Sequence, residues 1–194
     1  MSDVTLQSLT DISKVRLFNK GEIVFQQGEQ CSAIYKVLKG EVHLHRHDQD
    51  GKRVLLYRAY ENNFFAEASL NSDQYHCTAS CASDSSVLQI DSKKMMQILA
   101  NDAQFSAQWI AVLSSELRRQ RASVTRLNMN SASERLKHYL LTEGQPSGQI
   151  DLKGTLSDLA EVLGLSRESL YRTLRQLEQQ QVIERKENSI KLIT

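Results

Sequence analysis

The sequence predicts an α+β chain: an antiparallel β-barrel at the N-terminal end, one long helix, and a small helical unit closed by a hairpin. Three observations carry this. Between Lys20 and Ile90, short apolar runs alternate with glycine-bearing turns at roughly ten-residue spacing, the pattern of strands in a barrel or sandwich. Between 103 and 130 the apolar period changes to seven. Beyond Ser131, two helical stretches flank a glycine turn, and the last residues alternate as a hairpin does. The expected segments are 1–102, 103–130 and 131–194.

Composition narrows the class. The 194 residues are 40% hydrophobic with a single proline, so the chain reads as globular rather than disordered. No apolar run approaches the roughly 20 residues of a membrane-spanning helix. The opening Met1–Leu6 lacks the basic and apolar regions of an export signal. Cys31, Cys77 and Cys81 are too few and too odd in number for a disulfide scaffold, so the expected compartment is cytoplasmic, with no membrane partner. Net charge is +1, but Arg118, Arg119, Arg121 and Arg126 crowd into 116–130 against Glu116 alone. Any nucleic-acid site is therefore a local patch. No nucleophile–base pair or carboxylate pair sits on glycine-rich loops, so no enzyme is expected.

The strands are read at Glu22–Phe25, Ile34–Leu38, Val42–His45, Val54–Tyr57 and Val87–Ile90, with Asp48–Lys52 as an aspartate–glycine turn. A further strand runs from about His76 to Ser80. Its Cys77, Ala79 and Cys81 share a face that points inward.

Along 103–130, Ala103, Ile110, Leu117 and Val124 recur every seven residues. Leu113 and Leu127 take companion positions, while Ser106 and Gln120 interrupt that second row. Such a seam suits a parallel coiled coil, so Ile110, Leu113, Leu117, Val124 and Leu127 are expected to form a homodimer. Phe105 and Trp109 lie off the seam and are expected to pack on the chain's own β-structure.

The most informative stretch is Thr155–Leu174. Leu156, Leu159, Ala160 and Leu163 make one helix face, with Ala160 small enough for a second helix to cross. Gly164 falls where the tight turn needs a left-handed backbone. Ser166 is a suitable N-cap, and Leu170, Leu174 and Leu177 return to the core. That leaves Arg167, Glu168, Tyr171, Arg172 and Arg175 on the outer side. A helix presented by its N-terminal end fits the major groove, where arginine pairs with guanine and glutamate accepts from cytosine. Val182–Arg185 and Ile190–Ile193 then form a hairpin, or wing, whose Arg185, Lys186 and Lys191 suit phosphate contacts. The unit reads as a winged helix-turn-helix that binds double-stranded DNA.

In this order the chain resembles the Crp–Fnr family of bacterial regulators over nearly its whole length. Lys39-Gly40-Glu41 and Asn63–Leu70 are similar to the family's jelly-roll, cyclic-nucleotide-binding-like effector domain. The long helix resembles its dimerisation helix. Ser166–Arg172 is similar to the reading helix of the catabolite activator branch, which implies base contacts by Arg167, Glu168 and Arg172. The resemblance also implies a palindromic operator with half-sites near TGTGA, and RNA polymerase as partner if the chain activates.

The departures from the family are equally informative. Cyclic-nucleotide-binding relatives hold the phosphate with a Gly-Glu pair and a downstream Arg-Ser or Arg-Thr. Here Ala66 replaces the glycine, and the downstream position falls on Tyr75-His76 or Cys77-Thr78. No arginine occurs between Arg58 and Arg118, and nothing nearby in the sequence replaces it. No cyclic nucleotide is expected. Residues 1–30 hold no cysteine, so no iron–sulfur cluster is expected either.

A signal is harder to read. Cys31, Cys77 and Cys81 suit small buried hydrophobes, or else a redox sensor. Cys77 and Cys81 are too far apart along one strand to bridge. His43, His45 and His47 share a strand face. Residues two apart lie roughly 6–7 Å from each other, wide for shared metal ligation, so a polar outer face is the plainer reading. A redox-responsive regulator and a non-DNA-binding adaptor with a degenerate effector domain stand as alternatives.

Overall fold

The computed structural model describes Leu9 and residues 11–145, 147–152 and 154–193; the opening Met1–Leu6 and Pro146 of the expected turn lie outside them. The chain divides into two compact units, between Trp109 and Ile110.

The first unit is built from β1 (Ser13–Phe18), β2 (Ile23–Phe25), β3 (Ala33–Lys39), β4 (Glu41–His47), β5 (Arg53–Tyr60), β6 (Phe64–Phe65), β7 (Thr78–Cys81) and β8 (Ser85–Asp91). One sheet runs β1-β8-β3-β6 and the other β2-β7-β4-β5, with every ladder antiparallel. The two sheets do not join into one closed ladder; the expected barrel is two sheets enclosing one core. Alternation sends Ala33, Tyr35 and Val37 from one sheet, and Val42, Leu44 and Ala79 from the other, into that core. Aromatic rings fill part of it. Phe25 stacks on Tyr75 at 3.8 Å between centroids, and Tyr35 on Phe65 at 5.1 Å.

The β3–β4 turn shows why glycine is required there. Gly40 has φ +93°, and a Cβ on it would lie 2.6 Å from the Asp84 carbonyl oxygen. Among the elements that the sequence does not mark, two are instructive. β1 is an edge strand whose Val15 and Leu17 face solvent, so it lacks the one-sided pattern that marks a core strand. Helix α1 (Ser92–Asn101) begins directly at the end of β8, where Asp91 caps it by accepting from the Lys94 amide.

Helix α2 (Ala103–Leu127) starts in the first unit. There Phe105 and Trp109 are buried, as expected, and Trp109 meets Phe64 edge-on at 5.0 Å. The second unit continues with α3 (Ala132–Glu143), β9 (Gln149–Asp151), α4 (Leu156–Leu163), α5 (Arg167–Gln179), β10 (Ile183–Lys186) and β11 (Ser189–Leu192). Leu136 and Leu140 of α3 pack with Leu159 and Leu163 of α4 and Leu170 and Leu174 of α5. β9 adds to the terminal hairpin to give the order β10-β11-β9. Among the described residues, no helix is long and apolar enough to cross a membrane.

Candidate nucleic-acid interface

The helix–turn–helix is shaped by its caps. Thr155 and Asp158 form a reciprocal capping box that starts α4. Gly164 ends α4 at φ +63°, ψ +39°, the left-handed conformation that glycine takes without steric cost. Ser166 then accepts from the Ser169 amide at 3.1 Å and starts α5. Ala160 is buried where the two helices approach.

This geometry leaves a polar face. Ser166, Arg167, Glu168, Tyr171, Arg172 and Arg175 are all exposed, Tyr171 at 51%. Among the described residues, Arg167, Glu168 and Arg172 have no ion-pair or hydrogen-bond partner. The first two turns of α5 thus present two guanidinium groups and a carboxylate, all directed at solvent. In the hairpin, Arg185 Nε pairs with Glu178 Oε1 at 3.3 Å, which ties β10 to α5. Lys186 is exposed, with its Nζ 3.8 Å from Glu184.

The basic run in 116–130 is a different matter. Arg126 is only 3% exposed: its Nη1 donates to Thr142 Oγ1 at 3.0 Å and pairs with Glu143, and its guanidinium lies 5.0 Å from the Tyr139 ring centroid. Arg119 also approaches Glu143, at 3.9 Å. These two arginines fasten α2 to α3, so the expected patch reduces to Arg118 and Arg121. A cation count could not tell an internal brace from a phosphate contact. The seam side chains Ile110, Leu113, Leu117, Val124 and Leu127 are exposed, at 63%, 38%, 52%, 60% and 49%.

Comparison with known proteins agrees with this geometry. Residues 15–102 match the cyclic nucleotide-binding domain family, and residues 134–194 match the Crp-like helix-turn-helix domain family. The chain belongs to the Crp–Fnr family of transcription regulators. Among curated Crp–Fnr relatives, the cAMP-activated global transcriptional regulator CRP of Pasteurella multocida is 25% identical over 190 residues, covering 93% of this chain and 90% of that protein. The transcriptional activator protein FnrA of Stutzerimonas stutzeri is 21% identical over 196 residues, covering 97% and 80%. FixK2 from Bradyrhizobium japonicum shares the fold with a TM-score of 0.71 at 23% identity, covering 94% of this chain and 93% of that one. DNR from Pseudomonas aeruginosa has a TM-score of 0.56 at 25% identity, covering 100% and 88%. The chain is thus a transcription regulator with a helix-turn-helix DNA-binding domain and not an enzyme, and the adaptor alternative falls away.

Within this Crp–Fnr frame, the segment matched by sequence to the phosphate-holding pair has a left-handed turn. Ala66, where family members carry glycine, has φ +65° and ψ +7° ahead of a short 3₁₀ turn at Glu67–Ser69. A non-glycine residue there costs on the order of 1–2 kcal/mol. The missing downstream arginine has a neighbour that sequence proximity concealed. Arg46 of β4 donates its Nε to the His76 carbonyl, and His76 Nδ1 lies 2.8 Å from Ser69 Oγ. A guanidinium therefore does stand beside this segment, but it is engaged with backbone.

The thiols are unactivated. Cys77 and Cys81 are buried in the core as expected, and Cys31 is half-buried beside Ser92. Burial pushes all three pKa values above the ordinary thiol value, so little thiolate is present at neutral pH. The histidine face also differs from expectation. His45 stays in the row with His47, their ring centroids 5.8 Å apart, but is 6% exposed, so this part of the face is buried. His43 Nε2 is 2.7 Å from Glu41 Oε1. Among the described residues, no three histidine, cysteine, aspartate or glutamate side chains gather as a metal site.

Proposed function

We propose that this regulator acts as a homodimer on a palindromic operator, with Arg167, Glu168 and Arg172 reading bases. The observation that carries it is the unpaired, outward set of these three side chains at the N-terminal end of α5. Ser166 and Tyr171 share the face. Arg175, Arg185, Lys186 and Lys191 supply charge for phosphates, which position the protein without specifying sequence. The dimer forms along α2: a row of large apolar side chains at heptad spacing, exposed on a single chain, is a surface that a second copy covers. RNA polymerase is the further partner if the regulator activates.

We read the effector as something other than a cyclic nucleotide, although the Pasteurella relative is named as cAMP-activated. The strained Ala66 and an Arg46 committed to the His76 carbonyl replace the usual phosphate-holding set. The three thiols serve as packing residues in this reading, because none is activated.

Selection from random duplexes should return a two-fold site with half-sites about one helical turn apart. On that site Arg172→Ala should cost about 1–3 kcal/mol and relax choice at one G·C pair. If Arg167→Ala, Glu168→Ala and Arg172→Ala all kept wild-type affinity and base preference, the reading helix would have to be sought elsewhere.

A further inference from the structure

We propose that Arg135 is the positioning residue that holds the reading helix against the end of the long helix, and so sets the half-site spacing the dimer accepts. The proposal rests on the DNA reading above.

Arg135 lies in the first turn of α3, half-buried. Its Nε donates to the Met129 carbonyl at 2.8 Å, and its Nη2 to the Leu127 carbonyl at 3.0 Å. Its Nη1 reaches the carbonyls of Leu163 at 3.2 Å and Gly164 at 3.1 Å. Leu127 closes α2 and Leu163 closes α4, so one guanidinium gathers carbonyls from two helix C-termini. Such carbonyls lack partners in their own helices and carry the negative end of the helix dipole. Four acceptors lying in two directions need a planar fork of five N–H groups. A lysine ammonium offers three donors from one point.

Gly164 is drawn tight into the same joint. A Cβ there would lie 2.7 Å from Leu127 Cδ2 and 3.2 Å from Arg135 Nη1. The positive φ is what demands glycine here; the close approach shows how near the Leu127 and Arg135 side chains come to the turn. Ser166 caps α5 two residues later, and Arg167 and Glu168 open it. Between the clamp and the base-facing side chains there is little slack. In a dimer joined along α2, each reading helix is placed by the end of its own long helix. The two must stand about 34–36 Å apart to enter successive major grooves, and the two-fold axis doubles any error at the joint. Leu127, Met129 and Gly164 are at least partly exposed, so water can satisfy three of the four carbonyls if the guanidinium is removed, and only that of buried Leu163 is left short of a donor. The fold should then survive while the angle is freed.

The test uses the full-length dimer and the selected operator, alongside operators with the spacer one base pair longer or shorter. Wild type should prefer one spacing by about tenfold or more, since half-site separation is a geometric constraint. Arg135→Lys and Arg135→Gln should still melt cooperatively and sediment as dimers. Their affinity at the preferred spacing should fall about tenfold and their spacing preference should narrow to about threefold, while the salt slope, which counts phosphate contacts, stays put. A wild type that selects no palindrome would refute the DNA reading itself. A wild type that selects one, with variants of unchanged affinity and spacing preference, would refute only the role of Arg135. Should both variants fail to fold, the guanidinium is a brace of the fold itself and the positioning role is overturned.

Discussion

His45 shows how burial changes the chemistry of a side chain on the outer row of a strand. β4 and β5 pair Leu44 with Tyr57 but His45 with Leu55, so Leu56 is passed over. The imidazole is buried, and among the described residues its Nδ1 has no hydrogen-bond partner. Burial first, then the neighbouring Arg53 guanidinium, holds its pKa below the ordinary value of 6.5. His76 is lowered too, by burial and then by Arg46. The sign of the linkage follows. Above about pH 6.5 the folded and unfolded chains are both neutral at these rings; below it the unfolded chain takes up protons that the folded chain resists, so stability falls as pH falls. Thermal unfolding should therefore drop in midpoint between pH 7.5 and 5.5, and His45→Gln should flatten part of that slope. A slope unchanged in the variant would assign the titration to other groups.

At the scale of the element, α2 carries two jobs on different faces. Arg119 and Arg126 turn toward Glu143 of α3, whereas Ile110, Leu117 and Val124 stand open to solvent. Leu127, expected in the seam, also reaches toward the Gly164 turn. Gln120 bonds to Glu116 Oε1 on its own helix at 2.9 Å. Leu117→Glu would place an unpaired carboxylate at the centre of the proposed contact, which costs far more than the lost packing alone. Sedimentation should then show monomer at micromolar concentration with greatly weakened operator binding. A variant that stays dimeric would move the interface off this row.

At the scale of the whole molecule, the match to the cyclic nucleotide-binding domain family meets the proposal that no cyclic nucleotide binds. Ala66 takes a left-handed turn without being glycine, and the nearby guanidinium comes from β4 and bonds to backbone. Calorimetric titration with cyclic AMP and cyclic GMP should give no binding heat, and operator affinity should be the same with and without either. Micromolar affinity for one of them would mean that Arg46 leaves the His76 carbonyl to take the phosphate.

Much of this was legible in the sequence because it depends on neighbours along the chain. Strand periodicity, the glycine at the helix–helix turn, the Ser166 cap, and the inward leucines against outward Arg167, Glu168 and Arg172 are all set within one or two turns of backbone. β1 and α1 escaped because an edge strand needs no one-sided pattern and a helix capped from a strand end shows no loop before it. Only the tertiary structure decided which charges are free. Arg126 and Arg119 are spent on Glu143, Arg46 on a carbonyl thirty residues away, and Arg135 on carbonyls of Leu163 and Gly164 a further helix along. A guanidinium's long stem finds its acceptor in space, and backbone carbonyls look alike in every residue, so no local pattern could have marked these pairs.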